Sequence, residues 1–532
     1  MKSKSKKNDL QPLKELVTFA EYHKIEPQVW LPGTKSTGAG KGDKIWELYQ
    51  LVLTGEVETN QQAASLLFNA EFSKGHYRKS KNKLKSLLID SIFTLDPRLS
   101  LHTEYDRALS SAWKGVVSTK LLFGYGIAMA AAEYGTVILR DAEYYEFTEM
   151  SLCICRSLRS CYATRYPMHN KLRSVNRRIQ LLEELYNIEN QAEALYYELV
   201  QHRSKRRINQ PDLATLASDF HTRLEPHARQ VNSWRFIKFF YQIKVASVLL
   251  RYEYSDTLSV CDEALRVLGA KPFFSPELAQ FFLAQKMVCH LQLNQFEEGR
   301  VLAAEYNKYE EIGSYNWYHI QGLLMRLALH TGNYQEAYST FRNAVGKPGF
   351  KGLDPVFMEV WMLFEAYLRY LEHLGRISMP DMPANPHFRL FRFINDVPGF
   401  SRDKRGMNIP ILVLQIIFTI AQKRYEIAAI RIDAIGRYAM RHLREGDTLR
   451  SNIFIRMLQT LKDAGFNQLA AERRARKWIE KLSRYPKQYS NYEIEIIPYE
   501  PLWKLIVSSL DPKVHYQPNY IKAGYKRDAH PD

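Results

Sequence analysis

Residues 330–348 read HTGNYQEAYSTFRNAVGKP. Tyr334, Ala337, Phe341 and Ala344 lie at i, i+3, i+7 and i+10, which places them on one face of a helix. Ala337 is small where helices would cross, while Tyr334 and Phe341 are large enough to fill a groove to a neighbouring unit. Gly332 precedes this face by two residues. A helix patterned in this way cannot bury its apolar face alone, so the segment predicts a stack of helix pairs rather than an isolated helix.

The same spacing returns along the chain. Tyr254 is followed by Thr257, Cys261 and Ala264, and Phe296 by Gly299 and Ala303. Tyr425 is followed by Ala428, Ile432 and Ile435, and Phe466 by Leu469. The steps are 42 (254 to 296), 38 (296 to 334), 91 (334 to 425) and 41 (425 to 466). The long step reads as two units around Ile377, lengthened by the proline-rich stretch MPDMPANP at 379–386. On Gly332, Tyr334, Ala337, Phe341 and Ala344, with Pro348 one residue early, 330–348 resembles the second half of a tetratricopeptide repeat. The first-helix half departs from it: Leu324 agrees, but Met325 and Ala328 replace the usual small residue and tyrosine. The resemblance covers roughly 230–480 and extends more weakly to 100–200. It implies an all-α, right-handed solenoid of antiparallel helix pairs. It also implies a scaffold or adaptor that binds a protein or peptide. The family's carboxylate-clamp positions are not carried over, because the first-helix half departs from the pattern.

The rest of the chain is consistent with this class. With 532 residues, 46% of them hydrophobic, the chain can bury a sizeable core and is not disordered as a whole. Glycine (25) and proline (22) are few, which excludes a collagen-like chain and argues against a turn-rich all-β fold. After Pro97 the pattern is of long amphipathic helices in pairs, with Ala128, Ala131, Ala132 and Gly135 where helices must approach closely. One alternating stretch, NYEIEII at 491–497, reads as a short strand or an extended segment. The expected organisation is a basic tail, short helix and flexible linker (1–42), a helical N-terminal region (43–96), long helical hairpins (97–230), a repeat array (231–485, with an insertion at 376–406) and a C-terminal extension (486–532).

Charge and cysteine narrow the function classes. Lys+Arg 74 against Asp+Glu 57 gives +17, a bias that permits anionic partners without specifying one. Cys153, Cys155, Cys161, Cys261 and Cys289 are odd in number and include no C-x-x-C pair, so they read as free core thiols in a reducing compartment. Cys153, Cys155 and Cys161 with His169 make a poor zinc set, because the first two point about 200° apart on a helix. The N-terminus MKSKSKKNDL has no apolar run behind it and is no secretory signal. Leu121–Leu139 and Ile409–Ala421 read as buried core helices rather than membrane spans. A cytoplasmic protein is expected.

Catalytic motifs are missing. LPGTKSTGAGKGDK at 31–44 looks like a phosphate loop, but G-x-x-x-x-G-K-[ST] ending at Gly40-Lys41 puts Lys35 at the first glycine and Gly42 at the hydroxyl position. No metalloprotease, serine-hydrolase or dinucleotide fingerprint occurs. No enzyme activity, cofactor or metal is therefore expected. Aromatic clusters at 234–242 and 314–320 read as fillers between stacked helices. The remaining candidate is a stripe: Lys74, Arg78, Lys81 and Lys85 at i, i+4, i+7 and i+11, beside an apolar stripe of Tyr77, Leu84, Leu88 and Leu95. With the short helix NQQAASLLF before it, this is similar to a helix-turn-helix, as in bacterial activators that join a winged helix to helical repeats. The loop NAEFSKG is long for that motif, and no hairpin wing follows Pro97. This gives the alternative function: a nucleic-acid-binding regulator with the array as its assembly or sensing part.

Overall fold

The computed structural model describes residues 10–23, 25, 44–68, 74–94, 104–164, 168–204, 210–274, 280–308, 310–347, 349–380, 408–443, 449–485, 495–513 and 516. Among them are 21 α-helices and no strand. In chain order these are α1 Gln11–Tyr22, α2 Lys44–Leu53, α3 Asn60–Phe68, α4 Lys74–Ser91, α5 Glu104–Gly124, α6 Ala128–Tyr144 and α7 Thr148–Thr164. Next come α8 His169–Ser204, α9 Gln210–Ala228, α10 Trp234–Leu249, α11 Tyr254–Gly269, α12 Gln280–Leu293, α13 Phe296–Tyr306 and α14 Tyr315–His330. The last are α15 Tyr334–Val345, α16 Pro355–His373, α17 Asn408–Ala421, α18 Tyr425–His442, α19 Leu449–Asp463, α20 Gln468–Ser483 and α21 Tyr499–Ser508. The fold is all-α. The glycine-rich residues 31–43, with Lys35, Gly40, Lys41 and Gly42, lie outside the described residues, as do Leu95, Pro348 and most of the 376–406 insertion. The stretch 491–497, expected as a short strand or an extended segment, is described only from Glu495, where Ile496 and Ile497 are buried in a bend.

The chain divides into two compact units, residues 1–188 and 189–532. In the first, α1 packs on α2 and α4, and α3 packs on both α2 and α4. Leu13, Val17, Leu48, Val57, Ala63, Leu84 and Leu88 fill that core. A reciprocal cap starts α3: Gln62 N donates to Thr59 Oγ1 (3.3 Å) and Thr59 N to Gln62 Oε1 (3.0 Å). Further along the unit, α5, α6 and α7 pack on one another around Ala112, Val116, Leu139, Ile154 and Leu158. A Cβ at Gly135 would lie 3.0 Å from Thr119 Cγ2, so α5 and α6 approach closely there because Gly135 has none. Leu121–Leu139 is broken by a turn at Gly126, and no described helix is long and apolar enough to cross a membrane.

In the second unit each helix from α9 to α20 packs on the next one in sequence. To these are added α12 on α14 and α17 on α21. The C-terminal segment is anchored by charge. Arg450, buried on α19, donates to Glu495 (2.6 and 3.1 Å), to Glu500 (2.8 and 2.9 Å) and to the Tyr485 carbonyl (2.6 Å). His330 Nε2 lies 2.8 Å from the Glu495 carbonyl, which can only accept, so that nitrogen carries the proton.

One turn recurs through both units. A residue with positive φ stands at 126, 146, 252, 294, 332, 375, 423 and 465. In each case the next residue's N–H donates to a carbonyl five residues back, as Asn333 does to Ala328 (2.9 Å) and Arg376 to Leu371 (2.9 Å). This is a helix stop that satisfies carbonyls which the ended helix leaves open. The turn at Gly375 lies two residues before the buried Ile377. Only four of the eight positions are glycine; Lys423 sits at φ 59° and is exposed. Left-handed backbone costs an L-residue about 1–2 kcal/mol, against a somewhat smaller chain-entropy cost for glycine. K423G is therefore expected to stabilise the chain by about 0.5–1 kcal/mol, and G332V to destabilise it by at least about 1 kcal/mol, both read as shifts in the urea midpoint.

The turn fixes the register of the helix that follows it. Counting from the first residue of α6, α7, α11, α13, α15, α18 and α20, position i+3 is Ala131, Ser151, Thr257, Gly299, Ala337, Ala428 and Ala471. All seven are small and buried. At i+7 stand Gly135, Cys155, Cys261, Ala303, Phe341, Ile432 and Ala475, also buried. Two of the cysteines thus occupy a column where helices cross and a small side chain is needed. One part of the sequence reading is corrected. Leu469 is 67% exposed, because Gly465 and Phe466 both have positive φ and the helix opens at Gln468 rather than Phe466. Ala471 and Ala475 hold the packing positions assigned to Leu469's register.

Candidate functional site

On α4 the apolar stripe sets the orientation. Tyr77, Leu84 and Leu88 are buried, and the Tyr77 hydroxyl donates to Asn60 Oδ1 at the start of α3 (2.7 Å). Burial pushes the Tyr77 phenol up to about 12, so it remains a donor at neutral pH. Lys81 Nζ donates to the same Asn60 oxygen (2.9 Å), and Lys85 is half-buried. Lys74 opens the helix, and Arg78 is exposed. At about 100° per residue, the predicted stripe runs along the border of the buried face rather than along its opposite. The outward cations are Arg78, Lys79 and Lys83, interleaved with Asn82. The apolar stripe of Tyr77, Leu84 and Leu88 already placed Lys79 and Lys83 on the far side of the helix, but the longer row from Lys74 to Lys85 was read as the candidate instead.

On α15 the positions read from sequence are packing positions. Ala337, Phe341 and Ala344 are buried, Tyr334 packs half-buried against the same core, and Gly332 has φ 79° in the turn before it. The opposite face of α15 forms one wall of a pocket of about 410 Å³, lined by Gln335, Ser339, Arg342, Asn343, Lys347 and Pro380. Gln335 Nε2 donates to the Ser378 carbonyl and the Ser378 N–H donates to Gln335 Oε1, both at 3.1 Å. One side-chain amide thereby satisfies both backbone polar groups of Ser378. Among the described residues no carboxylate lines the pocket.

No protein-family model, curated protein or solved structure matches this chain. The chemistry of its sites is argued from its own geometry. All five cysteines are free, four of them buried and Cys153 half-buried. Burial pushes the Cys155 thiol up to about 11 and the Cys289 thiol to about 12, which leaves them protonated and unreactive at neutral pH. Among the described residues no three His, Cys, Asp or Glu side chains gather where a metal could bind, so Cys153, Cys155, Cys161 and His169 do not form such a group. Trp234, Phe236, Phe239, Phe240 and Tyr241 of the first aromatic cluster are buried, as are Trp317 and Tyr318 of the second.

Proposed function

We propose that the protein is a non-catalytic helical-repeat scaffold, a right-handed solenoid of antiparallel helix pairs through about 210–483, that binds a protein or peptide. The observation that carries this reading is the recurrence of one turn and one column of small buried residues, from Thr257 and Gly299 to Ala337, Ala428 and Ala471. Units joined by the same turn and packed mainly on their sequence neighbours leave an apolar face for the next unit, which is how repeat arrays grow. The tetratricopeptide-like pattern at 330–348 supports the same architecture. The α15 pocket supports a peptide ligand, because Ser339 and Asn343 offer exposed polar groups along one helix face there. Five free thiols support a reducing compartment, and the cytoplasm is the proposed location.

The test is affinity capture with the full chain and with N343W, which fills the pocket from an exposed position. The expected result is a stoichiometric protein partner held by the native chain and lost with N343W at unchanged melting temperature. Equal capture by both chains, or no specific partner, would count against the reading. A second reading is favoured by the outward Arg78, Lys79 and Lys83: a nucleic-acid-binding regulator in which α4 meets phosphates. R78Q/K79Q/K83Q tests it by the loss of duplex binding.

A further inference from the structure

We infer that the outer face of α20 is a binding surface for the phosphodiester backbone of a nucleic-acid duplex. The face is built from Arg473, Lys477, Lys481 and Arg484 at i, i+4, i+8 and i+11, a row about 16 Å long at 1.5 Å per residue. All four are exposed, and none has an ion-pair partner among the described residues. The nearby cations are already committed: Arg476 pairs with Glu480 (3.4 Å) and the Arg474 guanidinium donates to the Asp463 carbonyl.

The fold does not require this row. Ala471, Ala475 and Leu482 anchor α20, and all three are fully buried on the other side of the helix. The positions equivalent to Arg473 and Lys477 are Ser259 and Glu263 on α11, and Val301 and Glu305 on α13. The architecture thus accepts neutral and acidic residues there. Cations in a last turn are favoured by the helix dipole, which accounts for Lys481 and Arg484. Arg473 and Lys477 lie in the second and third turns, beyond its reach.

The chemistry of the face selects a duplex backbone. Two guanidinium and two ammonium groups suit phosphate oxygens. Single strands are held by stacking bases on open aromatic rings. Tyr485 is a single exposed ring past the end of the row, and Trp478 within it is half-buried, with Lys477 Nζ 5.2 Å and Lys481 Nζ 5.9 Å from its centre. That ring is spoken for by the lysines, so the row meets phosphates and not bases, and sequence specificity will be low.

The experiment is fluorescence anisotropy of the full chain with labelled duplexes of about 24 base pairs, DNA and RNA in separate arms, from about 50 to 300 mM KCl. R473Q/K477Q/K481Q/R484Q should melt at the native temperature, since only exposed side chains change. Its affinity at 100 mM salt should fall at least tenfold. Its slope of log K against log salt should shrink by about 3–4, at 0.9 per lost phosphate contact on DNA. A response in either arm supports the inference and says which duplex is held. No duplex binding at 50 mM, undiminished binding by the variant, tighter binding of a single strand, or equal competition by polyglutamate would overturn it. Loss confined to R78Q/K79Q/K83Q would overturn it as well and would assign the binding to α4.

Discussion

R450M is expected to lower the stability of the second unit by about 3–5 kcal/mol, the cost of stranding a buried charge. Arg450 is 4% exposed, and its guanidinium faces two carboxylates and two backbone carbonyls. Burial alone would lower its pKa, but the hydrogen bonds and charges of Glu495 and Glu500 outweigh it and hold the group above its ordinary value. Methionine fills similar space but leaves Glu495, itself buried, without a counter-charge. Glu495 also accepts from the Tyr499 N–H (3.0 Å), so the start of α21 loosens with it. A urea titration followed by circular dichroism reads the effect. The triple variant R450M/E495M/E500Q removes the unpaired charges and should recover most of the loss. If R450M costs less than about 1 kcal/mol, the network is not a structural anchor.

W361A is expected to cost about 3–5 kcal/mol, the usual range for deleting a large buried aromatic side chain. Trp361 is fully enclosed on α16. Its ring lies 6.1 Å from Tyr318, 6.1 Å from Phe341, 5.9 Å from Phe350 and 5.6 Å from Phe364. These rings come from α14, α15, the turn after it and α16. The void would therefore open where three consecutive helices meet, and a drop of several degrees in melting temperature should register it. W113A serves as the control. Trp113 is 41% exposed on α5, and its loss should cost well under half as much.

The all-α class and the register of α15 were legible because packing leaves a local imprint. Ala337, Phe341 and Ala344 have the size and spacing that a crossing neighbour demands, whatever that neighbour is. Where the imprint depended on backbone conformation it misled. Nothing in the letters Gly465-Phe466 says that both residues take positive φ, so the register of α20 was set two residues early. The alternation in NYEIEII suggested a short strand or an extended segment, but it could not show that Glu495 is buried because Arg450, 45 residues earlier, pairs with it. Periodicity drew the Lys74, Arg78, Lys81 and Lys85 stripe correctly as a line on a helix. It could not show that Asn60, from another helix, takes up Lys81. The pocket on α15 depends on a pairing of Gln335 with Ser378 across 43 residues. The α20 row reads as any solvated charged face until it is seen that none of its cations is ion-paired among the described residues.

The contact between His330 and Glu495 alters how the second unit comes apart. Helices that touch mainly their sequence neighbours melt piecemeal, because each boundary can break without disturbing the next. A tie between residues 165 positions apart removes that freedom. Closing such a loop costs only about 1.2 kcal/mol more than closing one of roughly 40 residues, two doublings of length. Together with the packing of α17 on α21, the tie links the two ends of α14 through α21, so that opening one internal boundary also strains the others. Cooperativity in this unit is thus uneven. The linked helices are expected to unfold more cooperatively than α9 to α11, a difference that hydrogen exchange would read.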